Sequence, residues 1–144
     1  MMRPGTAAVL VCAALAAGAL AFAQKEPSAA QQQRRAAELA KAPDAARSRR
    51  NPLEKYPEAV AAGKKLFEQR CQDCHGAGAQ GGRKGPDLRQ EDVQSVPPGV
   101  LFWFLTNGNV RRGMPPWSKL PEPQRWQLVS FLKSLGPTGN ATRR

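Results

Sequence analysis

Residues Cys71-Gln72-Asp73-Cys74-His75 (CQDCH) place two of the chain's three cysteines beside its single histidine. The stretch GAGAQGG follows at once and is too rich in glycine to continue a helix. The side chains best able to bind a metal or undergo redox chemistry are therefore concentrated where a regular segment meets a loop.

The sequence before this motif predicts a helix. In EAVAAGKKLFEQRC, Val60, Gly63 and Phe67 recur at intervals of three and four residues, which is typical of a helix with one apolar face. Pro57 suits the first turn of that helix. The helix therefore delivers Cys71 and Cys74 at its C-terminal end.

Two further helices are expected after the motif. One covers PGVLFWFLT (98–106) and ends at Asn107-Gly108, and the other covers PQRWQLVSFLKSL (123–135) and ends at Gly136-Pro137. Four prolines between positions 115 and 123 favour a loop between them. Because no stretch alternates with a period of two, we predict an all-α fold of three to five short helices with long loops.

The N-terminus has the form of an export signal. A short basic start is followed by AAVLVCAALAAGALAFA, which ends in a small-residue cleavage pattern before Gln24. We therefore interpret residues 1–23 as a cleaved signal peptide and expect a periplasmic or otherwise exported protein. An uncleaved membrane anchor is the alternative, and the protein would be attached to a membrane only in that case.

The remaining chain divides by composition. Residues 24–54 are rich in Ala, Gln and Arg and poor in large apolar side chains, so we predict a flexible tail or linker there. Residues 55–136 form the predicted folded domain, and residues 137–144 a disordered basic C-terminus. Without the signal, the chain keeps one histidine (His75), two cysteines (Cys71 and Cys74) and one methionine (Met114).

Three short helices and long loops give a thin core unless a large apolar group completes it. In C-x-x-C-H, two thiols one helical turn apart can add to the vinyl groups of a haem, and the adjacent imidazole can bind its iron. We therefore predict one haem c, bound covalently through two thioethers to Cys71 and Cys74, with His75 as a ligand of the iron. A zinc site would need more ligands, a thioredoxin-like pair would need a βαβ pattern, and a plain disulfide would leave His75 unexplained.

The second ligand of the iron follows from the residues that remain. No other histidine exists, and Met114 is a lone thioether in a loop stiffened by prolines. Met114 is therefore the preferred ligand. Lys119 and an open sixth position are the alternatives.

These motifs together resemble the class I c-type cytochromes. The resemblance rests on CQDCH, on GPDL (85–88), on RGMPPW (112–117) and on the C-terminal WQLVSFLKSL (126–135), and it covers residues 55–136. It implies the small cytochrome c fold around one haem. It also implies that the carbonyl of Pro86 accepts a hydrogen bond from His75 and that Leu88 borders the haem.

The resemblance further implies how two helices meet. The first and last helices of such proteins cross closely at a glycine, which here places Gly63 and Phe67 against Leu128 and Phe131. We assign Trp103, Trp117 and Trp126 to packing in the core or against the haem, and give none of them a chemical role.

An iron with both axial ligands supplied by the protein has no free position for a substrate. We therefore expect a one-electron carrier and not an enzyme. The opening NPLEKYPEAVAAGKKLFEQRC looks similar to single-haem cytochromes that accept electrons from exported quinoprotein dehydrogenases, and a terminal oxidase is a natural acceptor. The alternative is a haem enzyme or gas sensor with an open or labile sixth position.

The formal net charge of +11 bears on partners. A basic carrier is steered towards acidic docking surfaces on redox proteins such as a dehydrogenase, an oxidase or another cytochrome complex. Export argues against nucleic acid as a partner. We expect a monomer.

Overall fold

The computed structural model describes residues 27–136. The predicted signal peptide (1–23) and the predicted disordered C-terminus (137–144) lie outside these residues. No helix between residues 27 and 136 is long and apolar enough to cross a membrane.

The regular secondary structure of residues 27–136 is helical, apart from one isolated bridge between Asn109 and Met114. Its α-helices, in chain order, are α1 Ala29–Leu39, α2 Asp44–Arg47, α3 Pro57–Arg70, α4 Gln72–His75, α5 Glu91–Gln94, α6 Pro98–Asn107 and α7 Glu122–Ser134. A 3-10 helix, Val110–Arg112, lies between α6 and α7. The predicted all-α class is confirmed, and five of the α-helices, α3 to α7, fall within residues 55–136.

Local sequence explains where the main helices begin and end. Pro57 and Pro98 each stand at the start of a helix, where a missing backbone N–H costs nothing. Helix α6 ends at Gly108, whose φ of 66° is unfavourable for a residue with a side chain. The predicted helix after Pro98 and its end at Asn107-Gly108 are therefore confirmed.

Helices α3 and α7 cross in close contact. Gly63 lies against the backbone carbonyl of Gln127 and the Cβ of Phe131, and a methyl group at Gly63 would overlap that carbonyl oxygen. Beside this crossing, the rings of Phe67 and Phe131 lie 5.2 Å apart, and Leu128 is fully buried. The crossing implied by the resemblance is confirmed.

Helix α6 completes the core against α7. The rings of Phe102 and Trp126 are stacked with centroids 4.1 Å apart, and Trp126 is almost fully buried. Trp103 and Trp117 are half-buried and pack on the same core. The packing roles expected for the tryptophans are those found.

The segment before α3 differs from the flexible tail or linker predicted over 24–54. From residue 28 onward it forms α1 and α2, and Leu39, Ala42 and Ala46 are buried in the main core. Helix α1 lies beside α5 and α6, and α2 lies on α6. The prediction of flexibility is wrong for residues 28–54.

Close backbone approach and polar contacts explain this packing. Gly99 of α6 leaves room for the carbonyl oxygens of Ala46 and Arg49, which a methyl group there would overlap. The guanidinium of Arg49 lies 4.5 Å from the centroid of the Phe102 ring. The amide of Asn51 donates a buried hydrogen bond of 2.8 Å to Ser130 Oγ. Small side chains and specific hydrogen bonds replace the large apolar residues whose scarcity suggested a mobile segment.

The helix crossing makes a prediction about Gly63. Gly63→Ala should lower the free energy of unfolding of the holoprotein by about 3 kcal/mol, because the added methyl group forces α3 and α7 apart. Denaturant unfolding followed by circular dichroism measures this change. Ala61→Ser, on the exposed face of the same helix, should change the free energy by no more than about 0.5 kcal/mol. Equal stability of Gly63→Ala and the unmodified protein would contradict the close crossing.

Candidate haem site

The two cysteines of the motif lie one helical turn apart. Helix α3 ends as the N–H of Cys71 donates to the carbonyl of Phe67, and the single turn of α4 follows directly. The carbonyl of Cys71 accepts hydrogen bonds from the N–H groups of Cys74 and His75, at 3.2 and 3.0 Å. This turn places Cys71, Cys74 and His75 on one short hydrogen-bonded segment.

The thiols are not those of an activated redox pair. Cys71 and Cys74 are both free and half-buried. Burial raises the pKa of Cys71 to about 11, and the neighbouring Cys74 shifts it in the same direction. Since thiol–disulfide exchange needs a thiolate at neutral pH, these surroundings do not favour a thioredoxin-like reaction.

His75 presents a neutral imidazole with a defined proton. Its Nδ1 lies 3.0 Å from the carbonyl oxygen of Pro86. A carbonyl only accepts hydrogen bonds, so Nδ1 carries the proton and Nε2 keeps its lone pair. Burial lowers the pKa of His75, while the hydrogen bond to Pro86 acts in the opposite direction. The imidazole is therefore ready to bind a metal through Nε2, as the resemblance implies.

A close approach of the chain makes this hydrogen bond possible. A methyl group at Gly85 would lie 3.0 Å from His75 Nδ1 and 2.9 Å from the carbonyl oxygen of Cys74. Only a residue without a side chain lets the GPDL segment come this near to α4. Gly85 therefore sets the distance between His75 and Pro86.

Backbone hydrogen bonds hold the loop that returns to the histidine. Gly81 N donates to the carbonyl of His75 at 2.7 Å, and Leu88 N donates to the carbonyl of Ala79 at 2.9 Å. Ala79 is fully buried with a positive φ of 59°, which is rare for a residue with a side chain. Few apolar side chains are available here, so the loop depends on these bonds.

An ion pair fixes the residues beyond Pro86. Arg89 donates to both carboxylate oxygens of Asp87, and its backbone N–H donates to the same group at 2.8 Å. Burial acts to raise the pKa of Asp87, but the hydrogen bonds from Arg89 outweigh it and the pKa is lowered. The GPDL segment is thus stabilised on both sides of Leu88, which is half-buried against the core.

Met114 stands at the end of a short hairpin. Asn109 and Met114 form an isolated antiparallel bridge, with N–H···O distances of 2.8 and 3.1 Å between their backbones. The segment from Asn109 to Met114 is called the Met114 hairpin below. Gly108 packs against the backbone of Pro115 and Pro116, which leaves no room for a side chain at position 108. The Met114 side chain is half-buried and packs on the core.

The structure brings some predicted site residues together directly. His75 and Pro86 are hydrogen-bonded, while Cys71, Leu88 and Met114 each pack on the hydrophobic core. The binding of Met114 to iron stays a prediction. Residues 27–136 contain no cluster of three or more His, Cys, Asp or Glu side chains able to hold a metal ion. Two thiols and one oriented imidazole are a donor set that fits a haem.

Sequence reasoning missed Asn109. Its backbone closes the Met114 hairpin, and its side chain reaches Glu38 of α1. A local signal was available in NVRRGM (109–114). It begins with asparagine and has glycine just before its last residue, and both residue types are typical of tight turns. The partner on α1 left no such signal.

Comparison with known families agrees with this site. The family model described as cytochrome c oxidase, cbb3-type, subunit III matches residues 58–132, just over half of the chain. The chain belongs to this family of class I c-type cytochromes. It is therefore a haem protein of electron transport, as the resemblance implied.

Two curated relatives support the assignment. A cbb3-type cytochrome c oxidase subunit FixP from Sinorhizobium medicae is 33% identical over 89 residues, which cover 54% of this chain and 30% of the relative. Cytochrome c550 from Pseudomonas aeruginosa is 31% identical over 90 residues, which cover 60% of this chain and 62% of the relative. The chain thus spans less than two thirds of each relative.

A solved structure shares the fold. Cytochrome cL from the marine methylotrophic bacterium Methylophaga aminisulfidivorans matches with a TM-score of 0.54 and 26% identity, covering 60% of this chain and 59% of the other. The small cytochrome c fold expected from the sequence is therefore confirmed.

The position of Gly85 makes a prediction about this cytochrome. In Gly85→Ala, the added methyl group should move Pro86 away from Nδ1 of His75 and weaken their hydrogen bond. The resemblance implies that His75 binds the haem iron, and a less polarised imidazole would donate less to ferric iron, so the reduction potential should rise. Protein-film voltammetry measures the change. Ala77→Ser, an exposed position in the same loop, should leave the potential unchanged, and an unchanged potential in Gly85→Ala would contradict the role given to Gly85.

Proposed function

We propose that the protein is a periplasmic monohaem cytochrome that carries one electron at a time between redox proteins. Cys71 and Cys74 would hold the haem through two thioethers, and His75 and Met114 would bind its iron. The observation that carries the proposal is the hydrogen bond between His75 Nδ1 and Pro86, because it leaves Nε2 free in a defined orientation beside two thiols.

The haem, when bound, supplies an iron that alternates between the ferrous and ferric states. The residues of the chain orient the ligands and border the cofactor. Pro86 keeps the proton on Nδ1 and orients the imidazole, Leu88 borders the cofactor, and the backbone bridge to Asn109 presents Met114. If His75 and Met114 both bind the iron, no position on it would be left for a substrate.

The hairpin favours Met114 over Lys119 as the second axial ligand. Met114 is half-buried against the core and its backbone is paired, whereas Lys119 is exposed beyond Pro115 and Pro116. A thioether also favours ferrous iron more than a second imidazole would. A haem enzyme or gas sensor would require the sixth position to be open or labile.

Replacing Met114 tests the ligand and the function together. Ferric Met114→Leu should lose the weak red absorption band of sulfur ligation, and the ferrous form should bind carbon monoxide. Its reduction potential should fall, since leucine offers no thioether to iron. Absorption spectra and voltammetry of the holoproteins check these outcomes.

Lys119→Gln is the matched control, because it changes the other candidate ligand in the same loop. It should keep the sulfur band and exclude carbon monoxide. If the unmodified ferrous protein binds carbon monoxide readily, the sixth position is open and the enzyme or sensor interpretation replaces electron transfer.

Two exposed basic pairs define the proposed docking surface. Arg83 and Lys84 occupy the tip of a turn closed by Gly82 N and the carbonyl of Gly85 at 2.9 Å. Arg111 and Arg112 occupy the tip of the Met114 hairpin, beside Val110, which is 71% exposed. These four side chains form no ion pair with another described residue. One pair follows the proximal histidine and the other precedes Met114, so we place both near the haem edge.

Partners with acidic surfaces fit this distribution of charge. We propose an exported quinoprotein dehydrogenase as donor and a terminal oxidase as acceptor. The N-terminal part of the domain is similar to single-haem cytochromes that accept electrons from such dehydrogenases, which supports the proposed donor. The relative named as a cbb3-type oxidase subunit supports the proposed acceptor. The signal-like residues 1–23 support export, and we expect the exported protein to be a monomer.

Small inorganic oxidants test the docking surface without a known partner. The double variant Arg111→Gln/Arg112→Gln should react about two- to fivefold more slowly with hexacyanoferrate(III), an anion, at low ionic strength, and faster with the cation tris(phenanthroline)cobalt(III). Stopped-flow oxidation of the ferrous protein measures both rates.

The double variant Lys64→Gln/Lys65→Gln on α3 removes the same charge outside the basic pairs. It should alter both rates much less. Equal effects of the two double variants would mean that only net charge matters and that the proposed docking surface is wrong.

A further inference from the structure

The C-terminal part of helix α1 lies against the Met114 hairpin. Glu38 Oε2 accepts a hydrogen bond of 3.4 Å from the side-chain amide of Asn109, and a second, of 2.8 Å, from Lys41 Nζ. Asn109 is also the residue whose backbone pairs with Met114. A single residue thus links α1 to the position proposed as the axial ligand.

Helix α1 is itself held firmly. Arg35 Nε donates to Asp92 Oδ2 at 2.7 Å and its terminal nitrogen donates to Oδ1 at 2.9 Å, which makes a two-point ion pair with α5. The side chains of this pair are only 17% and 13% exposed. Leu39, next to Glu38, is buried in the core. Glu38 therefore projects from an anchored helix and is not part of a freely moving tail.

Charge reinforces the contact between α1 and the hairpin. The hydrogen bond from Lys41 lowers the pKa of Glu38 most, and the positive charges of Arg112 and Arg111 lower it further. The carboxylate is therefore ionised at neutral pH. Opening the hairpin would separate the two arginines from it.

We propose that helix α1 clamps the Met114 hairpin through Glu38 and Asn109, and that this clamp limits how readily Met114 leaves the iron. The proposal rests on Met114 being the axial ligand. It makes Glu38 a positioning residue, since it acts on Met114 through Asn109.

The physical argument concerns a small open population. An external ligand reaches the iron only when Met114 has moved away, so its apparent affinity is proportional to the fraction of open hairpins. Opening must break the contact between Glu38 and Asn109 or pull Asn109 out of register with Met114. Loss of a partly exposed, charge-assisted hydrogen bond should raise the open fraction about three- to tenfold.

The test is imidazole binding to the ferric holoprotein, followed by the loss of the sulfur band. Glu38→Ala should bind imidazole about three- to tenfold more tightly than the unmodified protein. Glu54→Ala removes the same charge from another exposed site of the N-terminal segment, where the side chain makes no ion pair with a described residue. It should leave the affinity unchanged.

Two further variants separate positioning from general loss of stability. Glu38→Gln retains an oxygen that can accept from Asn109 and should recover at least part of the affinity change. In a double-mutant cycle, Asn109→Ala should add little to Glu38→Ala, because the two residues act through one contact. Fully additive effects, or an affinity that follows the free energy of unfolding across all variants, would overturn the clamp.

Hydrogen exchange keeps this test independent of iron ligation. The backbone amides of Asn109 and Met114 donate across the bridge. In Glu38→Ala, the hydrogens of both amides should exchange faster, while those of α3 should exchange at an unchanged rate. If the unmodified protein lacks the sulfur band, the proposed ligation fails, and exchange alone decides on the clamp. If the band is present but neither exchange nor imidazole affinity changes, the clamp fails and the proposed function stands.

Discussion

The hydrogen bond between His75 Nδ1 and the carbonyl of Pro86 connects the turn that carries the cysteines to the loop that returns to it. It fixes the proton on one ring nitrogen, and so leaves the other nitrogen with a lone pair that can bind a metal. It also requires the chain to return to α4 at close range, which is possible because Gly85 has no side chain. The turn that carries Cys71 and Cys74 and the loop that ends at Leu88 are thus positioned relative to one imidazole.

Two different kinds of interaction stabilise the two sides of the protein. Helices α3, α6 and α7 share an apolar core in which Gly63 permits a close crossing and Phe102 stacks on Trp126. The loops around His75 and Met114 instead depend on backbone hydrogen bonds and a few polar side chains. Such a division suits a c-type cytochrome, because a haem is a large apolar group that can complete a thin core.

The basic residues also divide into two groups. Arg35 and Arg49 each pair with a carboxylate within the fold, Asp92 and Glu122 respectively. Arg111 and Arg112 remain exposed at the tip of the Met114 hairpin. The net charge of +11 therefore combines cations that are paired with carboxylates in the fold and cations without such a partner among the described residues, and the second group contributes most to the attraction of an acidic partner. Glu38 belongs to the packed N-terminal helices, and the hydrogen bond from Lys41 together with the positive charges of Arg112 and Arg111 lowers its pKa.

The sequence by itself determined the local features of this cytochrome. The spacing of Cys71, Cys74 and His75 puts them on one turn whatever surrounds them, and proline and glycine set the ends of α6, because these effects act within a few residues. Only the tertiary structure decided that residues 28–54 are part of the fold, and that Glu38 reaches the Met114 hairpin. The alanines of this segment give no periodic apolar signal, and the contact between Glu38 and Asn109 joins positions 71 residues apart in the chain. Such contacts depend on how packed helices bring distant backbones together, which local patterns do not encode.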